Sequence, residues 1–151
     1  MLERLVGLPR VRVLAVDHDP LRVHVETRLN DPERCPTCGS AARVKDRDPV
    51  LLTDLPAFGR RAVLVWRKRR WRCPEPSCSV GSWTELARQI AAPRLGLTDR
   101  AGRWATFQVG AHGRTVAEVA ADLGCDSWHT VNDAVIVYGR RLIDDRIGSD
   151  R

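Results

Sequence analysis

Four cysteines stand in two pairs whose spacing is typical of a metal site. Cys35 and Cys38 enclose two residues and precede Gly39, whereas Cys73 and Cys78 enclose four. A short knuckle lets two thiolates point at one tetrahedral ion, and four thiolates close its coordination sphere without a position for water or substrate. We therefore predict one structural Zn²⁺ ion held by Cys35, Cys38, Cys73 and Cys78, with a role in folding rather than in catalysis.

The same cysteines leave other interpretations open. They could be free buried thiols, a redox-active pair or the ligands of an iron site of rubredoxin type. The basic residues around them favour a polyanion partner over electron transfer. The fifth cysteine, Cys125, lies far from both pairs and is interpreted as a small core residue rather than a fifth ligand.

A strongly basic segment leads into the second cysteine pair. It contains seven basic residues and no acid, interleaved with Trp66 and Trp71. Side chains on a strand alternate between its two faces, so some of these residues would contact phosphates while one tryptophan packs on the zinc knuckle. The alternative is a solvated edge strand whose charges prevent aggregation. The candidate DNA contacts here are Arg60, Arg61, Arg67, Lys68, Arg69, Arg70 and Arg72.

The charge of the chain is concentrated in its cysteine-containing part. Residues 1–94 hold 18 Lys and Arg against 11 Asp and Glu, whereas residues 95–151 hold 7 against 8, within a formal net charge of +6. Lysine and arginine bind nucleic acid by displacing counterions from phosphates. The distribution therefore favours a nucleic-acid partner, although an acidic protein partner would suit the same charges.

The segments before each cysteine pair have the sequence pattern of β-strands. Residues 11–29 alternate apolar and polar side chains on both sides of the turn AspHisAspPro at 17–20, which predicts a β-hairpin. Residues 50–72 predict two further strands split by Pro56 and Gly59, the second running into Cys73. Residues 1–94 should thus form a β-rich, zinc-ribbon-like domain.

From Thr98 onward the apolar period becomes helical. Thr98 is a candidate N-cap of a first helix, and Thr115 with Glu118 forms a capping box before a second helix that ends at Gly124. A third helix follows Asp126 or Ser127, and its apolar stripe is Val131, Ala134, Val135, Tyr138 and Leu142. We predict a three-helix domain of helix-turn-helix type over residues 95–145, an α+β chain overall, and a disordered tail over 146–151.

The third helix supplies candidate residues for reading DNA. If Val131 faces the core, His129 and Asp133 face the opposite way and Thr130 and Asn132 lie on the flanks. Polar residues at the start of a recognition helix contact base edges in the major groove. A three-helix bundle without a DNA contact is the alternative. The candidate contacts are Ser127, His129, Thr130, Asn132 and Asp133.

Five motifs follow one another along the chain: CPTCG, LPAFGRRAVLVWRKRRWRC, CPEPSC, TVAEVAADLG and WHTVNDAV. Their order resembles the N-terminal part of bacterial insertion-sequence transposases of the ISL-three group. The resemblance covers about residues 10–145. It implies binding to terminal inverted repeats of double-stranded DNA, structural Zn²⁺, and a partner that is a second copy or a full-length transposase. One departure is that Val131 follows Gly124 by seven residues instead of six, which could rotate the recognition helix.

The resemblance also implies limits on activity. In that group a DDE catalytic domain with Mg²⁺ follows the helix-turn-helix, and we expect this chain to lack it, so that it binds DNA as a truncated product without catalysis. A stand-alone regulator of transposition and a zinc-ribbon protein-interaction module are the alternatives. The absence of a long apolar run and of a signal-peptide stretch predicts a cytoplasmic, nucleoid-associated protein without a membrane span.

Overall fold

A computed structural model describes residues 2–149, apart from the side chains of Leu2 and Leu5; Asp150 and Arg151, the last residues of the predicted tail, lie outside it. The described chain is a mixed α+β structure with one mixed sheet and a group of helices that follows it. Its elements are α1 (Leu2–Val6), β1 (Val11–His18), β2 (Leu21–Thr27), β3 (Arg43–Ala57), β4 (Arg60–Arg72), β5 (Ser82–Thr84), α2 (Asp99–Gly110), α3 (Val116–Leu123) and α4 (Trp128–Ser149).

The predicted N-terminal hairpin is confirmed. Strands β1 and β2 pair antiparallel, with His18 opposite Leu21 beside the turn. The alternation of the sequence places Val25 in the core, fully buried, and leaves Arg22 exposed. The two-residue period sets which face is buried, whereas the register itself shifts between Val13 and Ala15, where the pairing is irregular.

The second predicted hairpin is present, but its first strand differs from the prediction. Strand β3 begins at Arg43, well before residue 50, and Pro56 lies inside it. Proline lacks the N–H that a central strand needs, but β3 is an edge strand, and its pairing with β4 is irregular between Asp54 and Ala57, where Pro56 lies. The reversal itself uses Phe58 and Gly59, which both have positive φ angles, 54° and 71°.

Strand β4 lies in the middle of the sheet, whose order is β1-β2-β4-β3. It pairs antiparallel with β3, parallel with Arg22–Val25 of β2, and antiparallel with the short β5 near its own end. The sheet core lies on the face that carries Val25, Leu64 and Trp66. Ala87 and Ile90, from the segment that follows β5, complete this core.

The helical caps form as predicted. The hydroxyl of Thr98 accepts from the N–H of Ala101 before α2, and Thr115 and Glu118 form the complete capping box of α3. Gly124 ends α3 with a left-handed φ of 72°. These caps satisfy N–H and C=O groups that would otherwise be orphaned at the helix ends.

The start of helix α4 shows how the long turn after Gly124 is accommodated. The hydroxyl of Ser127 accepts from the N–H of His129, so Ser127 rather than Asp126 caps the helix. Val131 is fully buried, and the extra residue after Gly124 is therefore absorbed before the cap instead of rotating the helix.

Two expectations for the end of α4 are wrong. Leu142, predicted as the last member of the core stripe, is exposed, because it lines an open cavity with Thr106 and Phe107 of α2 instead of packing in the core. The helix also continues to Ser149, although residues 146–149 were expected to be disordered. None of the helices in residues 2–149 combines the length and apolar character that crossing a membrane requires.

The sheet and the helices are joined by buried polar contacts. The backbone of Thr53 bonds to Gly96 O (2.9 Å) and receives a bond from Thr98 N (3.0 Å). The carboxylate of Asp54 accepts from the hydroxyl of Thr98 (2.7 Å) and from Nε of Arg100 (2.8 Å). The helices are therefore held against the β3–β4 hairpin rather than carried on a free linker.

Candidate metal centre and nucleic-acid interface

The first cysteine pair lies in a tight hairpin after β2. Arg34 and Ala41 form an antiparallel bridge, and Cys35 N donates to Ser40 O at 2.9 Å. Gly39 adopts a φ of 74°, a left-handed conformation that few other residues take without strain. This reversal folds the C-x2-C segment back so that both thiols reach one side.

The second pair begins where β4 ends. Cys73 follows Arg72 directly, and its N–H donates to Gly81 O at 2.9 Å, while Cys78 N donates to Glu75 O at 3.1 Å. Because β5 pairs with the last residues of β4, the loop between them is closed at its base. The sheet thus fixes the position of the second knuckle.

The four thiols meet at one point. The sulfur atoms of Cys38 and Cys73 are 3.4 Å apart, those of Cys35 and Cys78 are 3.7 Å apart, and all four lie within 4.8 Å of one another. Tetrahedral coordination with Zn–S bonds of about 2.3 Å separates ligand sulfurs by about 3.8 Å. A disulfide would require about 2.05 Å. The donor set and its spacing therefore fit structural Zn²⁺ and not disulfides.

The thiols of the cluster differ in acidity. The side chain and the backbone of Ser40 hydrogen-bond to Cys38 and lower the pKa of its thiol to about 6. A backbone hydrogen bond at Glu75 lowers the pKa of Cys73, but burial and the neighbouring thiols outweigh it and raise that pKa to about 12. The cluster thus combines one thiol of lowered pKa with one of raised pKa, and ligation of an ion by all four thiolates would release the remaining thiol protons.

Residues 31–78 match the zinc-finger of transposase IS204/IS1001/IS1096/IS1165. The match contains both cysteine pairs, strand β3 and strand β4, and it ends at Cys78. No curated protein and no solved structure matches the chain. The cysteine cluster is thus a transposase-type zinc ribbon, whose four thiolates serve as structural Zn²⁺ ligands.

The basic residues of β4 fall into groups with different surroundings. Arg67 and Arg72 are exposed, and within residues 2–149 neither guanidinium has an ion-pair or hydrogen-bond partner. Arg60 is also exposed but donates to His18 O at 2.8 Å. Arg67 and Arg72 are therefore the two predicted contacts of this strand whose charge is most available to an external anion.

Arg69 is a correction to the predicted set, because it is only 7% exposed. Its guanidinium lies 3.7 Å from a carboxylate oxygen of Glu26 and 3.5 Å from one of Glu85, and it donates to the hydroxyl of Thr27 at 2.7 Å. A guanidinium enclosed by two carboxylates cannot reach a phosphate. Arg69 instead ties β2 and the segment after β5 to the middle of the sheet.

The remaining basic residues of the strand have local partners. Lys68 lies over the ring of Trp66, 4.8 Å from its centroid, and Arg70 pairs with Asp46 at 3.5 Å. Trp66 is part of the sheet core. Trp71 is the tryptophan nearer the knuckle of Cys35 and Cys38, because Trp71 and Pro36 line the same cavity of about 490 Å³. The side chains of Lys68 and Arg70 are therefore only partly exposed.

Arg61 connects the zinc-bearing sheet to the turn before α4. Its guanidinium lies 3.5 Å from Asp126, and its side chain packs so closely on Gly124 that a Cβ there would meet it at 3.0 Å. A residue predicted only as a phosphate contact therefore also positions the turn that precedes the candidate recognition helix.

The polar residues at the start of α4 lie where the sequence predicts. His129 and Asp133 are exposed, and Thr130, Asn132 and Ser127 are half-buried. Trp128 was not among the predicted contacts. It is exposed and stacks on His129 with ring centroids 3.9 Å apart, an arrangement that the WHTV motif alone does not reveal.

Other exposed basic residues were also missed because they lie in β3, outside the basic run. Arg47 is opposite Arg69 and two positions from Pro49, the partner of Arg67, while Arg43 is opposite Arg72. Directly opposed residues share a face of the sheet, so Arg47 lies on the face of Arg67 and Arg43 on that of Arg72. Only the unexpected length of β3 brings these residues to the basic strand.

Proposed function

We propose that this chain binds double-stranded DNA as the recognition part of an insertion-sequence transposase of the ISL-three group, at the terminal inverted repeats of its element. One observation carries the proposal: a transposase-type zinc ribbon terminates a central strand that presents unpaired, exposed arginine to solvent. The zinc ion stabilises the fold of that surface, and binding rather than catalysis is the role of the described residues.

One face of the sheet is the better candidate for the phosphate surface. Arg61 and Arg67 lie on the same face of β4, six residues apart, and Arg47 of β3 joins them. The spacing of six residues corresponds to about 20 Å. This face is continuous with the turn before α4 through the contact of Arg61 with Gly124, whereas the opposite face is covered by the core around Trp66.

The helices support sequence recognition as a helix-turn-helix. Helices α3 and α4 share a core through Leu123 and Val131, and the short turn between them is closed by Gly124. In such an arrangement the second helix enters the major groove by its N-terminal residues. His129 and Asn132 then contact bases or phosphates, and an asparagine amide can pair with adenine.

The experiment compares two matched pairs of variants on the two faces of the same strands. Binding to the element's inverted repeat and to scrambled DNA is measured as a function of salt for Arg47→Ala with Arg67→Ala, and for Arg43→Ala with Arg72→Ala. Each lost phosphate contact lowers the slope of log affinity against log salt by about 0.9. The first pair should therefore lower the slope by about 2 for both DNAs, and the second pair should leave it near the wild-type value.

Sequence recognition requires a separate variant. His129→Ala with Asn132→Ala should reduce the preference for the inverted repeat over scrambled DNA and leave the salt slope unchanged. Equal wild-type affinity for both DNAs would refute sequence-specific binding. Absence of salt-dependent binding to either DNA would refute the DNA proposal altogether and favour an acidic protein partner.

A further inference from the structure

The last four turns of α4 carry an apolar stripe that no other described element covers. Ile136, Ile143 and Ile147 recur at intervals of seven and four residues and are 44%, 59% and 58% exposed. Helical spacing places them on one face, opposite the core residues Val131, Ala134 and Tyr138. Apolar side chains repeated on one face of an exposed helix are typical of a helix-packing surface.

Two opposite charges lie along one edge of this stripe. Arg140 and Asp144 are both exposed and lie on the same side of the isoleucine stripe. Arg140 is between Ile136 and Ile143 in the sequence, and Asp144 directly follows Ile143. Within residues 2–149 neither has an ion-pair partner, and the interval of four between them does not produce an intrahelical pair. Arginine placed N-terminal to the acid is the less favourable order for such a pair within a helix.

We propose that this stripe binds the same stripe of a second copy of the chain, with the two α4 helices antiparallel. In a two-fold symmetric contact the same patch must complement itself. Antiparallel pairing centred between Arg141 and Leu142 brings Ile136 of one copy to Ile147 of the other, and Arg140 of each copy beside Asp144 of its partner. Apolar side chains therefore meet at both ends of the contact, and the charges along its edge are complementary.

The proposed contact between the two α4 helices is short, so the dimer should be weak. The isoleucines span eleven residues, or about 17 Å of helix. Interfaces below about 1,200 Å² belong to weak or transient complexes. The dimer should accordingly form at concentrations of about 10–500 µM and be most evident at low salt.

Sedimentation of the free protein tests the dimer without DNA, so its result is independent of the DNA proposal. Arg140→Asp leaves only acids on the edge of the stripe, and Asp144→Arg leaves only bases. Each variant alone should dimerise at least about tenfold more weakly than wild type, because like charges then face one another. An equimolar mixture of the two should restore the wild-type dimer, since every pair across the contact is again opposite.

The matched control is Arg141→Asp, the same charge change one residue further on, where the guanidinium lies 5.4 Å from the ring centroid of Tyr138 instead of beside the stripe. It should dimerise as wild type does. A wild-type protein that stays monomeric up to about 500 µM, single variants that still dimerise, or a mixture that stays monomeric would each overturn the proposal. Because a misfolded variant could not be rescued by mixing, restored association also excludes unfolding as the cause of loss.

Discussion

Arg67 and Arg69 are two residues apart on the same strand, yet the structure gives them opposite roles. Arg67 is exposed without a partner in the described part of the chain, whereas Arg69 lies between Glu26 and Glu85. Replacing each by methionine makes the same charge change at neighbouring positions. We expect Arg69→Met to lower stability with little direct effect on DNA contacts, and Arg67→Met to weaken DNA binding with little effect on stability.

The magnitude follows from burial. The side chains of Glu26 and Glu85 are 8% and 7% exposed. Loss of Arg69 leaves the buried Glu85 without an ion-pair partner in the described chain and leaves Glu26 with Arg12 alone. Removing one partner of a buried ion pair costs about 3–5 kcal/mol. For a chain of this size each kcal/mol lowers Tm by about 2–4 °C, so Arg69→Met should unfold at least about 6 °C below wild type.

The assay is thermal unfolding of the zinc-loaded protein, followed by salt-dependent DNA binding well below each Tm. A third variant, Arg69→Met with Glu26→Gln and Glu85→Gln, removes both buried charges and should recover part of the lost stability, which separates the electrostatic cause from altered packing. Wild-type stability in Arg69→Met would refute the buried role. A reduced salt slope in that variant, equal to the reduction in Arg67→Met, would return Arg69 to the phosphate surface.

Further predictions concern the metal, the caps and the junction. Chelation or Cys73→Ser should unfold the sheet and leave the circular-dichroism signal of the later helices, and a sheet that persists without metal would contradict a structural ion. Hydrogen bonds from the backbone and side chain of Thr115 hold the pKa of Glu118 below 4.5. The capping box therefore stabilises α3 at neutral pH, and this stabilisation is lost as the pH falls through the lowered pKa. Glu118→Gln should remove this part of the acid dependence in unfolding titrations. Gly124→Ala should destabilise by about 1 kcal/mol or more because φ is 72° there, whereas Gly139→Ala, in open helical surroundings, should stabilise by up to about 1 kcal/mol, as measured by urea unfolding. Asp54→Asn should cost about 2–4 kcal/mol in the same assay, and a neutral result would show that the junction does not depend on that charge.

The features that the sequence predicts correctly are those encoded by neighbouring residues. The spacing of Cys35 and Cys38 with Gly39 specifies a knuckle, and the capping box at Thr115 specifies the start of α3 whatever packs against it. The charge of the basic run was also evident, because it needs only composition. Local chemistry of this kind is independent of tertiary context.

The features that the sequence does not reveal depend on contacts between distant residues. Nothing near Arg69 shows that Glu26 and Glu85 will enclose it, since one lies 43 residues earlier and the other 16 later. Pro56 was interpreted as a strand breaker, yet it is accommodated because β3 is at an edge and its pairing is irregular there. The zinc site could therefore be predicted in full, whereas the usable part of the basic surface could not.

The carboxylate of Asp54, which binds Thr98 and Arg100 across the junction, also bears on how such a protein can be inherited. Recombination that joined this zinc ribbon to other helices would remove both donors from the buried carboxylate and leave it the N–H of Leu55, at a cost of about 3–5 kcal/mol. That cost is comparable to the whole stability of a marginal domain. Ribbon and helices should therefore be inherited as one unit, and an exchange of one without the other should require a compensating change at residue 54.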